Sequence, residues 1–270
     1  MFYSISENEL DSLNLNELIQ RMDELLLQSV RERYGQIQEG FPVSLVSEII
    51  STQRVAVLPD KEKRHIAYLT FSYLVQMQVH SVSSGFANKL LFTPEYDEKN
   101  SWVSPAFRLR EGAIRQAQII SSRIAMEIFM ELLHCIEEGN LIKVGKKNSK
   151  IGTFKKWLCS PTNQFHYFAH VLLKAYRFDR GLRSPEIHGT PRLPRRLLML
   201  QTPGHQENND PLSLINSLSC CWAPLLEILN GQRPSSMQIS KDEEEWFRIY
   251  MGGNENQITE KLEIMFQEIY

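Results

Sequence analysis

Apolar residues recur at helical spacing through most of this chain, and this pattern restricts the fold more than any other feature. The first such segment has an apolar side chain every three or four residues before Gly35: Leu15, Leu18, Ile19, Met22, Leu25, Leu26, Val30 and Tyr34. This spacing places the side chains on one face of an α-helix. Asn14, with Glu17 three residues later, is typical of a capping box and predicts the start of that helix.

Four further helix starts combine a capping side chain with a proline at the first helical position, where the missing N–H costs nothing. They are Ser104-Pro105, Ser160-Pro161, Ser184-Pro185 and Asp210-Pro211. The first predicts a long helix, with a break at Gly112, that ends at Gly139. The second predicts a helix over residues 161–180 that Gly181 stops.

The remaining segments also favour helices, and strand patterns are almost absent. The predicted helices are one that starts near Pro42, one from Asp60 towards Gly85, a short one around 154–158, one that contains Pro224, and two at 242–251 and 258–270. We therefore expect an all-α fold, a single large bundle-like domain of roughly nine or ten helices.

The polar, breaker-rich stretch at residues 201–210 is the best linker in the chain. Residues 1–200 are then the main helical domain. Residues 211–270 are expected to form an acidic helical lobe packed on it.

The composition is that of an ordinary soluble globular protein, with 42% apolar and 23% charged residues. The four cysteines form no C-x2-C framework, which favours a reduced, cytoplasmic setting. The first residues lack the basic and apolar regions of a signal peptide, and no apolar run approaches the ~18 residues of a membrane span. We expect no membrane partner.

Charge is distributed very unevenly along the sequence. Residues 141–200 carry thirteen Lys and Arg against two acidic residues, a local charge of +11. Residues 1–60 sum to −6 and residues 201–270 to −7. We call residues 141–200 the basic segment. Such a concentration of positive charge usually binds phosphate groups or an acidic protein surface, and the sequence does not decide between these two partners.

One side of the predicted helix at 161–180 is polar and leads into an arginine-rich loop. Its residues recur at i, i+4, i+8 and i+11: His166, His170, Lys174 and Arg177. The opposite side has Phe165, Phe168 and other apolar residues spaced to pack inward. The polar side suits phosphate contacts, with aromatic residues nearby that can stack on bases, and equally suits a solvated helix face.

The sharpest motif is Arg183–Gly189, with the sequence RSPEIHG. It resembles the Arg-polar-x-x-aliphatic-His-Gly motif of the HEPN superfamily, all-helical proteins that include many metal-independent ribonucleases. The resemblance implies that Arg183 holds the phosphate and that His188 moves a proton during attack by the ribose 2′-hydroxyl. It also implies that two protomers bring their motifs together, with no cofactor. Read without the resemblance, Ser184-Pro185-Glu186 is an ordinary helix cap.

The stiff Pro-Arg run at residues 190–198 holds its guanidinium groups in an extended or turn-rich path. Together with the polar helix face, it predicts a nucleic-acid-binding set, RNA being favoured: His166, His170, Lys174, Arg177, Arg180, Arg192, Arg195 and Arg196. The same arginines could instead dock on acidic residues such as Asp242–Glu245, within the chain or in a homodimer. That alternative predicts a non-catalytic interaction protein.

A third hypothesis concerns the predicted long helix, where Arg123, Glu127, Glu131, His134 and Glu138 form one polar stripe. The Glu131-x-x-His134 spacing is used by di-iron helical bundles, which makes Glu127, Glu131 and His134 the alternative metal ligands. Ion pairing such as Arg123 with Glu127 explains the stripe more simply. The chain has no G-x-G-x-x-G, G-K-[ST] or G-x-S-x-G motif, which disfavours the common nucleotide-binding and serine hydrolase classes.

Overall fold

The computed structural model describes residues 12–34, 44–90, 96–97, 102–103, 105–143, 150–158, 163–168 and 211–232. These residues are almost entirely helical, as predicted. In chain order the α-helices are α1 (Leu15–Tyr34), α2 (Val46–Ile50), α3 (Gln53–Ala56), α4 (Asp60–Leu90), α5 (Pro105–Glu138), α6 (Lys150–Leu158), α7 (Pro211–Cys220) and α8 (Trp222–Leu229). A 3-10 helix, η1, spans Gln164–Phe168.

A minimal pair of strands lies between α4 and α5. Strand β1 (Tyr96–Asp97) pairs antiparallel with β2 (Trp102–Val103), with Tyr96 opposite Val103. The sequence pattern does not indicate this pair, because two residues are too few for the alternation that marks a strand.

The helix starts and stops follow local capping chemistry. The Asn14 N–H donates to Glu17 Oε2 and the Glu17 N–H donates to Asn14 Oδ1, both at 3.0 Å, so the predicted capping box is confirmed. Pro105 and Pro211 are the first residues of α5 and α7, as predicted. Gly139 ends α5 with a φ of 69°, a left-handed conformation that suits glycine, and its N–H donates to the Cys135 carbonyl.

Asp23 of α1 determines where α2 begins. This buried carboxylate accepts hydrogen bonds from the N–H groups of Val46 at 2.7 Å and Ser47 at 3.2 Å. These are two of the N–H groups that a helix start leaves without a helical partner. The helix predicted from near Pro42 therefore begins at Val46.

Two glycines that were expected to interrupt the long helices do not do so. Helix α4 continues through Gly85 to Leu90, and α5 is continuous through Gly112, which is buried. The two predictions were wrong because α4 and α5 pack along each other. That packing outweighs the cost of about 1 kcal/mol for a glycine inside a helix.

Two other predicted helices differ in the structure. Pro224 does not lie inside one long helix but in the first turn of α8, after a turn at Cys221. A proline cannot donate to the carbonyl four residues earlier and its ring clashes with it, so α7 ends at Cys220. Of the predicted helix at 161–180, the structure describes residues 163–168: Asn163 is not helical, and the next turn is η1. Asn163 Oδ1 accepts from the Phe165 N–H at 2.8 Å, a side-chain turn that competes with a regular helix start.

The core forms where the shorter elements pack on the α4–α5 pair. Helices α1 and α2 lie on α4, α7 lies on both long helices, and α8 contacts α2 and α3. Tyr73 of α4 is buried at the centre, with its ring 5.5 Å from Phe129 of α5 and stacked 6.0 Å from Trp222 of α8. Its hydroxyl donates to the Leu218 carbonyl of α7 at 2.8 Å. Burial raises the pKa of Tyr73 well above its ordinary value, so this donor stays protonated.

We predict that Asp23→Ala lowers the free energy of unfolding by about 1–3 kcal/mol, because one buried and one partly buried N–H group of α2 lose their acceptor. Urea denaturation measures this change. The neighbouring Glu24→Ala is the matched control. Glu24 is exposed and accepts from the Gln20 side chain at the surface, so its loss should cost less than about 0.5 kcal/mol. Equal effects of the two substitutions would contradict the capping role.

Candidate functional site at the end of helix α5

Most of the predicted site residues lie outside the described part of the chain. These are Arg183 and His188 of the motif, and His170, Lys174, Arg177, Arg180, Arg192, Arg195 and Arg196 of the basic segment. His166 lies in η1, where only its backbone is described. Asp242–Glu245 also lie outside. The structure does describe how the basic segment is attached to the helical body.

Glu131 of α5 holds the first part of the basic segment. Glu131 is buried, with 7% of the residue exposed. One carboxylate oxygen accepts from the Ile142 N–H at 2.8 Å, and the other pairs with Lys150 Nζ at 2.6 Å. Because α5 ends at Gly139, the chain returns past Glu131 at residue 142. One carboxylate thus fixes both that return and the first residue of α6.

His134 and Glu138, which follow Glu131 along α5, also contact the chain after this helix. His134 Nδ1 lies 2.7 Å from the Asn140 carbonyl oxygen, so Nδ1 is the protonated ring nitrogen there. The His134 ring contacts the Trp157 ring of α6 at a centroid distance of 5.1 Å. Trp157 Nε1 donates to Glu138 Oε1 at 2.9 Å. Both side chains of α5 therefore contact α6, Glu138 at the surface.

Glu137 connects α3, α5 and η1. It pairs with Arg54 of α3 and accepts from Gln164 Nε2 at 3.0 Å. The Arg54 guanidinium lies 5.7 Å from the centroid of the buried Phe165 ring, a distance typical of a cation–π contact. Phe165 and Phe168 are both buried, which confirms the prediction that these two side chains pack inward.

Glu137 and Glu138 lie in the last turn of α5, near the negative end of its macrodipole, where carboxylates are unfavourable unless cations accompany them. Arg54 supplies the cation for Glu137. Burial, Glu62 and Glu131 together raise the pKa of the nearby Cys135 to about 11. Cys135 therefore stays a thiol at neutral pH, which argues against a nucleophilic role.

The alternative metal ligands have other partners in the structure. Glu127 pairs with Arg123, which confirms the predicted ion pair. Glu131 faces Lys150 and Ile142, and His134 faces Asn140. Across the described ranges no three His, Cys, Asp or Glu side chains are arranged to hold a metal ion.

A serine–histidine pair lies between the two long helices. Ser122 Oγ of α5 is 3.3 Å from His80 Nδ1 of α4, and both residues are at most 2% exposed. A substrate has no access to a hydroxyl buried in this way. The pair therefore joins α4 to α5 as a polar contact within the core.

Sequence reasoning missed the partners that the glutamates of α5 find far along the chain. Arg54 lies 83 residues from Glu137, and no local pattern connects the two. The local signal that was available is an acidic helix end at Gly139 followed within a few residues by lysines.

Searches of protein family models, curated proteins and solved structures found no match to this chain. Within the described part of the chain, no helix has the length and apolar character needed to cross a membrane.

We predict that Glu131→Ala lowers the free energy of unfolding by about 2–3 kcal/mol and speeds hydrogen exchange at Ile142. The substitution leaves the Ile142 N–H without its acceptor and Lys150 without its partner. Glu131→Gln keeps an acceptor for Ile142 but loses the charge, so its effect should be intermediate.

Glu138→Ala is the control for Glu131→Ala, because Glu138 is exposed and its bond to Trp157 is at the surface. It should change neither quantity appreciably. If it destabilises the protein as much as Glu131→Ala does, Glu131 is not the residue that holds the segment.

Proposed function

We propose that this chain is an all-helical nucleic-acid-binding protein. Its basic segment contacts the phosphate backbone, RNA being the favoured ligand, and the described helices form the scaffold that presents the segment. The main support for this proposal is the local charge of +11 over residues 141–200. This segment is attached to the helical body at the end of α5, where Lys150 pairs with Glu131. The partner for such charge is most simply a polyanion.

Three carboxylates of α5 have cation partners in the described part of the chain. Glu127 pairs with Arg123, Glu137 with Arg54, and Glu131 with Lys150. These three carboxylates are engaged by single cations, so they add little to neutralising the other twelve Lys and Arg of the basic segment. A phosphate backbone offers the evenly spaced negative charges that such a segment can bind.

Cleavage of the bound RNA is the more specific part of the proposal and rests on the resemblance of Arg183–Gly189 to the HEPN motif. The ribose 2′-oxygen attacks the adjacent phosphorus, and the bond to the 5′-oxygen breaks. The products are a 2′,3′-cyclic phosphate and a free 5′-hydroxyl. His188 transfers the proton, and Arg183 stabilises the charge on the phosphoryl oxygens. The reaction needs no metal ion, and a homodimer would place two motifs at one site.

A second candidate is a non-catalytic interaction protein whose basic segment docks on acidic surface in cis or in a homodimer. One observation favours it. Lys150, a cation of the basic segment, pairs with the largely buried Glu131 of the same chain. The acidic run Asp242–Glu245 would supply further partners.

We predict that the wild-type protein cleaves single-stranded RNA in EDTA and that Arg183→Ala/His188→Ala abolishes cleavage while weakening binding by no more than the loss of one phosphate contact. Gel analysis of the products gives the first result, and fluorescence anisotropy with the double variant gives the second. Binding should weaken with salt, with a slope of log K against log salt of about −0.7 for each phosphate contacted.

Arg195→Ala/Arg196→Ala should make that slope shallower by about 1.4, because two phosphate contacts are lost. The matched control is Arg31→Ala/Lys61→Ala, which removes two exposed cations of the helical body and should leave the slope unchanged. Binding without cleavage would leave the binding proposal standing and remove the ribonuclease assignment. Absence of binding at physiological salt, with loss of thermal stability on charge reversal of Asp242–Glu245, would instead support the second candidate.

A further inference from the structure

Part of the outer face of α5 is apolar, although solvent-facing helix surfaces are normally polar. Its exposed residues fall within roughly 80° of arc at about 100° per residue: Leu109, Ala113, Ala117, Ile120 and Ile124. Leu109 is 57% exposed and Ile120 is 52% exposed. By the same geometry, the arc contains no charged residue between Leu109 and Ile124. We call these five residues the α5 stripe.

A segment near the end of the chain has a matching apolar pattern. Its apolar residues recur at i, i+4, i+7 and i+11: Ile258, Leu262, Met265 and Ile269. This is the spacing of a helix that pairs with another along a narrow seam. The segment lies outside the described residues, and its sequence predicts an amphipathic helix.

The charges of the two regions are complementary. Residues 105–124 contain four arginines and one glutamate, a local charge of +3, and one of the four, Arg123, is paired with Glu127. Residues 254–270 contain four glutamates and one lysine, a local charge of −3. A second copy of α5 placed on the same face would bring like charges together, which disfavours self-pairing of this helix.

The chain between α8 and residue 258 is long enough to bring residues 258–269 to the α5 stripe. Asn230, just after α8, accepts from the Gln53 N–H at 3.1 Å, and the adjacent Arg54 pairs with Glu137 near the C-terminal end of α5. Ile124 lies about 20 Å from Glu137 along the helix at 1.5 Å per residue. The residues between 232 and 258 can span up to roughly 80 Å, so the α5 stripe is within reach.

We propose that residues 258–269 dock as a helix on the α5 stripe of the same molecule. Ile258, Leu262, Met265 and Ile269 face the stripe, and the flanking glutamates lie near the arginines of α5. Residues 201–270 have a net charge of −7, and three of these negative charges would then lie beside α5 rather than beside the basic segment. The proposal does not depend on nucleic-acid binding.

The test is photo-crosslinking in the full-length protein. Ile120 is replaced by p-benzoylphenylalanine, the protein is irradiated, and mass spectrometry identifies the peptide joined to position 120 in the monomer band. We expect residues 258–270 to be the cross-linked peptide. Leu262→Asp/Met265→Asp should reduce its yield about tenfold, because two charges cannot be buried against the stripe without a large cost.

Two controls separate docking from chance contact. Gln267→Asp adds a charge on the opposite side of the predicted helix and should leave the yield unchanged. The photo-reactive residue at the exposed Lys61 should give no cross-link to residues 258–270. The proposal is overturned if position 120 cross-links to another segment, if the product is a dimer, or if Leu262→Asp/Met265→Asp does not lower the yield.

Discussion

The buried Tyr73 side chain lies at the centre of the described core. It touches Phe129 of α5 and Trp222 of α8 with its ring and the Leu218 carbonyl of α7 with its hydroxyl. One residue of α4 therefore contacts three other helices. Phe129 also meets Phe168 of η1, edge to face at 5.5 Å, so the aromatic contacts extend from the core into the basic segment. Aromatic pairs of this kind contribute about 0.5–1.5 kcal/mol each beyond their buried area.

The polar contacts at the end of α5 fix the position of the chain that follows this helix, and their net contribution to stability is small. A largely buried ion pair such as Lys150 with Glu131 costs desolvation energy that its attraction only partly offsets. Its clearest effect is geometric, because the same carboxylate also holds the Ile142 N–H. The body thereby presents the start of the basic segment in one arrangement. A binding surface gains affinity from such an arrangement because less conformational freedom is lost on binding.

Local patterns predicted the helical class and the ends that depend on neighbouring residues. The Asn14–Glu17 capping box, the proline starts at Pro105 and Pro211, and the stop at Gly139 all depend on side chains within a few positions, and all are confirmed. The errors at Gly85 and at the start of α2 occurred where tertiary contacts override local preference, whereas those at Pro224 and Asn163 came from local proline and side-chain turn chemistry. Gly85 remains helical because α4 packs along α5, and α2 begins at Val46 because Asp23 from another helix caps it.

The candidate site could be predicted only in part. The Arg123–Glu127 pair follows from i, i+4 spacing on one helix, so the sequence was sufficient for it. The partners of Glu131 and Glu137 depend on how distant elements pack, and a single sequence contains no direct record of that packing. The nucleic-acid-binding and catalytic residues of the basic segment remain predictions, carried by charge and by the resemblance of one short motif.

We propose that residues 141–200 form the nucleic-acid-binding surface and that the helical body serves as its scaffold. Hydrogen–deuterium exchange of the full-length protein, with and without single-stranded RNA at moderate salt, distinguishes the two regions. We expect slower exchange on RNA addition in peptides from residues 141–200 and unchanged exchange in peptides from α1 and α4. Protection confined to the helical body, or no protection at an RNA concentration that saturates anisotropy, would contradict the proposal.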